Sequence, residues 1–254
     1  MYIENSYLKK QFSIWLLLML LIISIIIIVG GLTRLTDSGL SITEWELFSG
    51  FLPPFNESDW DHYFNLYKKI PEYQLQNFSM DLAEFKVIFW WEWAHRFLGR
   101  LLGIFFLVPL IYFSFKIGFS KLYKIYFIFL LICFQGFMGW YMVSSGLVER
   151  VDVSHFRLSA HLIIAFIILS LIFWNFLNLN LSNNYIIKIN FYLPSFFLLI
   201  IFLQIIMGAF VSGMDAGTIY NSWPLMGNSY FPDDNNLINL FSFSSFSEPS
   251  IVQF

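Results

Sequence analysis

The sequence predicts an all-α integral membrane protein: a four-helix transmembrane bundle followed by a fifth span that starts a second, repeated half. Three observations predict it. Of the 254 residues, 58% are apolar and only 12% charged, with a mean hydropathy of +0.67, whereas soluble domains carry about 25% charge. Five segments are each long and apolar enough to cross about 30 Å of hydrocarbon while bonding their own backbone groups. One stretch of chain also recurs at an offset of 178 residues. A net charge of −3 with 8 Pro and 1 Cys excludes a disordered chain, collagen, a disulfide scaffold and a basic nucleic-acid-binding surface.

The spans are expected at 14–32, 87–115, 125–143, 156–177 and 191–211. The first is followed by Gly30-Gly31-Leu32-Thr33-Arg34 with no small-x-small cleavage site, so it is an anchor and not a removable signal. Between the first two spans, 33–86 forms the main extramembrane segment, with a surface helix over 57–70. Ser58 and Asp61 suggest its capping box, Trp60, Phe64 and Tyr67 its shared face, and Pro71 its end. Short segments on the N-terminal side hold Lys9, Lys10, Lys116, Lys121, Lys124 and Lys188 against Glu4, which makes that side cytoplasmic. The segments 33–86 and 212–254 are then outside.

The repeat aligns 27–54 with 205–232 without a gap, and eight positions are identical: Ile27/Ile205, Ile28/Ile206, Gly30/Gly208, Asp37/Asp215, Gly39/Gly217, Trp45/Trp223, Leu47/Leu225 and Pro54/Pro232. Shared apolar composition explains the isoleucines but not the Gly, Asp, Trp and Pro series. Residues 1–178 are therefore expected as one four-helix half and 179–254 as the start of a second, with three helices of that half outside this sequence. Duplicated membrane halves commonly place a site near their junction.

Ionisable side chains in hydrocarbon are costly, so each is a functional candidate. In the second span Glu92, His95, Arg96, Gly99 and Gly103 recur at three- and four-residue steps and share a face. The plainer alternative is an i,i+4 ion pair between Glu92 and Arg96, with the Trp residues as an interfacial belt and the glycines packing helices. In the fourth span His155 and His161 are six residues apart, so both cannot face one centre. His155, at the boundary, is expected to be solvated or capping, and His161 to be the buried one. His62, in the outer helix, is expected to be solvated. His95 and His161 enter parallel spans at similar depth, an arrangement that suits axial ligation of heme iron more than zinc. Gly99, Gly103, Gly136 and Gly139 leave room for a flat macrocycle.

Four runs then carry a resemblance: GGLTRLTDSGLSITEWELFSGFLPP (30–54), FWWEWAHRFLGRLLG (89–103), QGFMGWYMVSSGLVERVDVSHFRLSAHL (135–162) and GAFVSGMDAGTIYNSWPLMG (208–227). Together they resemble the heme A synthase family in its proteobacterial and mitochondrial form, over about residues 30–254. The resemblance implies an eight-helix fold of two similar halves, and oxidation of a methyl group of heme O to the formyl group of heme A by way of an alcohol and a hydrate. It implies His95 and His161 as iron ligands of the substrate heme and matches its glutamate-x-x-histidine motif to Glu92 and His95; Glu92, one turn before His95, is placed as the catalytic carboxylate, to stabilise cationic character or take a proton. Arg96 or Arg100 would suit the heme propionates, the plainer alternative being pairing with acids or lipid headgroups. The resemblance also implies a heme b in the second half, whose ligating histidines would follow SEPSIVQF and are absent from this sequence. Heme O synthase, an electron donor, cytochrome oxidase assembly factors and membrane lipid are the implied partners, and a bacterial plasma membrane is the implied location. The 254-residue chain alone is accordingly expected to bind heme but to be catalytically incomplete. The alternatives are a b-type cytochrome that only relays electrons, a transporter, or an inactive truncated heme A synthase.

Overall fold

The computed structural model describes residues 5–45, 49–148, 150–181, 191–235 and 242–254; Glu4, Leu47 and Lys188, named above, lie outside them. Among the described residues there are eight α-helices and no strand: α1 (Ser6–Leu35), α2 (Glu57–Tyr67), α3 (Pro71–Leu75), α4 (Leu82–Ile117), α5 (Tyr123–Gly146), α6 (His155–Asn180), α7 (Tyr192–Gly213) and α8 (Pro249–Gln253). Of these, α1, α4, α5 with the 3-10 turn before it, α6 and α7 are long and apolar enough to cross a membrane. They coincide with the five expected spans and exceed them by one to eight residues at most ends. The chain divides into two compact units, residues 1–151 with 164–189, and residues 152–163 with 190–254.

The first unit is built around one core. Phe12, Trp15, Leu16, Met19 and Ile23 of α1 meet Leu102, Phe106, Leu110 and Phe113 of α4, Ile125, Ile128 and Ile132 of α5, and Ile168, Ile172 and Leu179 of α6. These positions recur at three- and four-residue steps, the spacing of one helix face. The Trp15 indole N–H donates to the Phe105 carbonyl at 3.0 Å, which satisfies the one polar atom of a buried ring. Opposite faces stay apolar and exposed, as at Leu18, Leu21 and Ile28 of α1 and Val108 and Ile111 of α4. Helices that are apolar all round and only partly covered by protein suit contact with lipid.

The outer segment packs on the start of α4. Its helix α2 is capped by Asn56, whose side chain accepts from the Asp59 N–H at 2.8 Å, so the cap lies two residues before the expected Ser58. Pro71 does not end α2, which stops at Tyr67; it opens α3, where its missing N–H costs nothing. Trp60, Phe64 and Tyr67, the expected shared face, are buried: Trp60 meets Phe89 of α4 edge-on, Phe64 stacks on Phe85 and Tyr67 lies tilted against Phe85. Tyr67 donates to the buried Glu72 at 2.9 Å, and Asn77 donates to the Tyr67 oxygen at 2.8 Å. Burial and the neighbouring Glu72 carboxylate push the Tyr67 phenol above its ordinary range. A reciprocal capping box between Asp81 and Glu84 starts α4.

In the second unit, Phe210, Ala216 and Val252 pack with Phe156, Ile206, Val211 and Met214. Gln253 accepts from the Tyr220 N–H at 2.9 Å and donates to the Gly217 and Tyr220 carbonyls, tying the C-terminal α8 to the loop after α7. Asp233 accepts from the Asn228 N–H at 2.8 Å and the Ser229 hydroxyl at 2.7 Å; these two donors hold its carboxyl below the usual range.

The repeated sequences build the same helix end twice. After α1 the Thr36 N–H donates to the Leu32 carbonyl and the Asp37 N–H to that of Arg34; after α7, Met214 donates to Phe210 and Asp215 to Ser212. Each partner differs by 178. Asp37 and Asp215 both take left-handed backbone, with φ of 47° and 49°, a region Asp enters more readily than most residues because its short carboxylate bonds locally.

Candidate functional site

Glu92, His95, Arg96 and Arg100 lie on α4 in the first unit, while His155 and His161 belong to the second. Each set is therefore described in its own unit.

Glu92 is buried and has donors on both carboxylate oxygens. Arg96, one turn on, donates to Oε1 at 2.5 Å, forming the i,i+4 ion pair that was the plainer alternative. Its Oε2 accepts from the Ser41 hydroxyl at 2.7 Å and from the Ile42 N–H at 2.8 Å. Arg96 also donates to the carbonyls of Ile42 at 2.9 Å and Glu44 at 3.4 Å. The pair therefore fastens residues 41–44, the chain that follows the repeated helix end, to α4. Ser41 donates to the Ile88 carbonyl as well, at 3.3 Å. A buried charge needs this density of hydrogen bonds to offset its desolvation.

Arg96 and Arg100 line a narrow cleft together with Ile42, Leu52, Tyr63, Phe89 and Trp93. At 100° per residue they stand about 100° and 140° round the helix from His95. His95 faces α1 instead. Its ring lies so close to Gly30 that a Cβ there would sit 2.8 Å from Cε1 and 3.2 Å from Nδ1. The Nδ1 atom is shielded from solvent and makes no hydrogen bond of good geometry among the described residues, although the Ile26 carbonyl lies beside the ring. Thr33, three residues after Gly30, donates to the carbonyls of Val29 and Trp91, which draws α1 against α4 at this level. A Cβ added to Gly31, Gly99, Gly103 or Gly136 would meet nothing within 4 Å; Gly31, Gly99 and Gly136 are exposed on the outer surface of their helices. The large side chains of the core are at the other end of α1 and α4.

In the second unit the histidines exchange the burial expected of them. His155, expected to be solvated, is 7% exposed; it begins α6 and packs against Phe156 and Phe210. Gly213 makes this possible, since a Cβ there would stand 2.9 Å from the His155 Cβ and 3.0 Å from its Cα. His161, expected to be the buried one, is half-buried, with its Nδ1 shielded from solvent. The boundary argument failed because the end of α7, at Phe210 and Gly213, covers the start of α6. His62 is exposed as expected, with Nε2 3.8 Å from a Glu44 oxygen.

Ser41, the Ile42 N–H and Gly30 were not singled out by their chemistry. Gly30 did stand in the repeat; Ser41 and Ile42 carried no signal beyond lying in the same motif.

The family model described as cytochrome oxidase assembly protein matches residues 13–254. Heme A synthase of Pelagibacter ubique is 52% identical over 256 residues, covering 100% of this chain and 76% of that protein. The chain belongs to the heme A synthase family. Heme A synthase of Rickettsia bellii is 47% identical, with 97% of this chain and 75% of that protein covered, and that of Rhizobium etli is 42% identical, with 97% and 68% covered. No solved structure matches. With its five apolar helices, this heme A synthase family member is a multi-pass membrane protein and an oxidoreductase.

Proposed function

We propose that the chain binds heme O in its first four spans and oxidises one methyl group to the formyl group of heme A, the form used by cytochrome oxidase. Similarity to heme A synthases along the whole chain carries this reading. Chemically the conversion is two successive two-electron oxidations, each adding the oxygen of one water to the methyl carbon and releasing two protons, through an alcohol and then a hydrated aldehyde that loses water. Electrons leave to an acceptor outside this chain.

His95 and His161 are the proposed ligands of the substrate's iron. In favour of His95 stand an Nδ1 that is shielded from solvent without a hydrogen bond of good geometry, and the close approach of its ring to Gly30. Arg96 and Arg100, in the adjoining cleft, are proposed to meet the propionates with charge-assisted hydrogen bonds. Glu92 contributes a fixed negative charge one turn before His95. With three donors on its carboxylate, it acts by charge and position, favouring cationic character in the oxidised macrocycle, and not by removing a proton. The chain has four histidines, none after His161, so these residues do not fit a further heme with paired imidazoles. The proposed setting is a bacterial plasma membrane with the N-terminus in the cytoplasm. Heme O synthase, an electron carrier and oxidase assembly factors are the proposed partners.

The test is mass spectrometry of heme extracted from the purified protein after expression with heme O. Hydroxylated and formylated heme are expected. Unmodified b-type heme alone would make the protein an electron-relaying cytochrome, and absence of any heme absorption would favour a transporter.

A further inference from the structure

We infer that Gly30 is a positioning residue for the His95 imidazole, and that its missing side chain sets the angle at which His95 presents itself to a heme iron. The inference rests on the proposal that His95 ligates iron, and it concerns a residue whose neighbour is the His95 ring.

The argument is steric. Gly30 is in the interior of α1, where its backbone is ordinary helix, so no conformational need for glycine exists. Glycine there costs about 0.5–1 kcal/mol relative to alanine in helix propensity, a cost that needs a reason. The ring of His95 supplies that reason. An alanine Cβ at this position would approach Cε1 to 2.8 Å, Nδ1 to 3.2 Å and Nε2 to 3.5 Å, so the whole imidazole edge lies over Gly30. All three atoms belong to a side chain that can turn about its own bonds. The imidazole therefore rotates away while α1 and α4 keep their packing, and the Trp15, Phe106 and Phe113 core at the far end of the helices is untouched. Neighbouring glycines differ. Gly31, one residue on, and Gly99, one turn past His95, would each accept a Cβ with nothing within 4 Å. Ligand orientation is a directional requirement, because an imidazole donates to iron only along the axis of its ring lone pair. Groups that orient a metal-ligating histidine without touching the metal typically contribute about 10- to 100-fold in affinity. Gly30 does this by absence, and the Ile26 carbonyl, one turn earlier on the same helix, lies beside the same ring.

Four full-length proteins, wild type, Gly30→Ala, Gly31→Ala and His95→Ala, are purified, titrated with heme and examined by absorption spectroscopy, with heme per polypeptide and thermal unfolding measured in parallel. Gly30→Ala is expected to weaken heme binding about 10- to 100-fold and to lose the low-spin paired-imidazole bands, as His95→Ala does, with thermal unfolding of the heme-free protein unchanged, which is the unfolding measurement compared throughout because bound heme itself stabilises the native state. Gly31→Ala is expected to match wild type. If His95→Ala keeps the wild-type spectrum, the ligand assignment itself fails. If His95→Ala loses the spectrum while Gly30→Ala keeps it, Gly30 has no positioning role. Loss in Gly31→Ala as well, or a lowered unfolding temperature in Gly30→Ala, would overturn the inference by showing that the methyl group disturbs the helix pair and not the ring.

Discussion

Replacing Glu92 with Gln keeps the shape of the side chain and removes its charge, and the consequence can be worked from three distances. Arg96 donates to one carboxylate oxygen at 2.5 Å, and Ser41 and the Ile42 N–H donate to the other at 2.7 and 2.8 Å. An amide has one oxygen. Whichever way it is turned, its NH₂ faces either the guanidinium or the Ser41 and Ile42 donors. The Glu92 and Arg96 side chains are 4% and 10% exposed, so the lost partner is not replaced by bulk water. Breaking a buried pair from one side costs about 3–5 kcal/mol. Arg96 keeps the Ile42 and Glu44 carbonyls, which puts the expectation at the lower end, about 3 kcal/mol or roughly a hundredfold. The loss is local to residues 41–44, so the readout is hydrogen exchange at the Ile42 amide, expected to lose about a hundredfold of its protection. Ser41→Ala, which removes one neutral donor and keeps the charge, is expected to lose about 1 kcal/mol, near fivefold. Heme A yield should fall further in Glu92→Gln than in Ser41→Ala if the charge serves the reaction. An Ile42 amide that exchanges no faster in Glu92→Gln would refute the argument that this carboxylate fastens the outer segment.

Gly213→Ala is expected to destabilise the protein by about 1–3 kcal/mol, because the new methyl would meet the His155 Cβ and backbone. Gly208→Ala, which meets nothing, should be neutral or slightly stabilising; thermal unfolding in detergent distinguishes them. The Asp233 carboxyl is held low by the Asn228 and Ser229 donors. Its contribution to the loop is therefore present above the ordinary carboxylate range and lost as pH falls through the depressed value. Asn228 amide exchange, corrected for its intrinsic pH dependence, should accelerate in acid, and Asp233→Asn should abolish that dependence. For topology, a cysteine at Ser58 should react with an impermeant reagent from outside the cell and one at Ser120 should not; the reverse pattern would invert the assignment of sides.

The sequence by itself determined what depends on solvent and on neighbours along one helix. Hydrocarbon demands long apolar helices whatever their partners, so five spans were legible from composition. The apolar face of α2 and the Glu92–Arg96 pair were legible because three- and four-residue spacing alone brings such side chains together. The repeat was legible too, and its meaning became geometric when Asp37 and Asp215 proved to turn the chain at equivalent helix ends. Tertiary structure alone decided the rest. Ser41 and the Ile42 N–H reach Glu92 from 51 and 50 residues away, and nothing in local spacing announces a donor supplied by a loop. His155 and His161 were assigned their burial by depth along one helix, yet the burial of His155 is set by Phe210 and Gly213 on another. The closeness of Gly30 to His95 is likewise a property of two helices at their crossing. Side-chain burial and contact at such crossings depend on which faces meet, and that is fixed only when the whole set of helices packs.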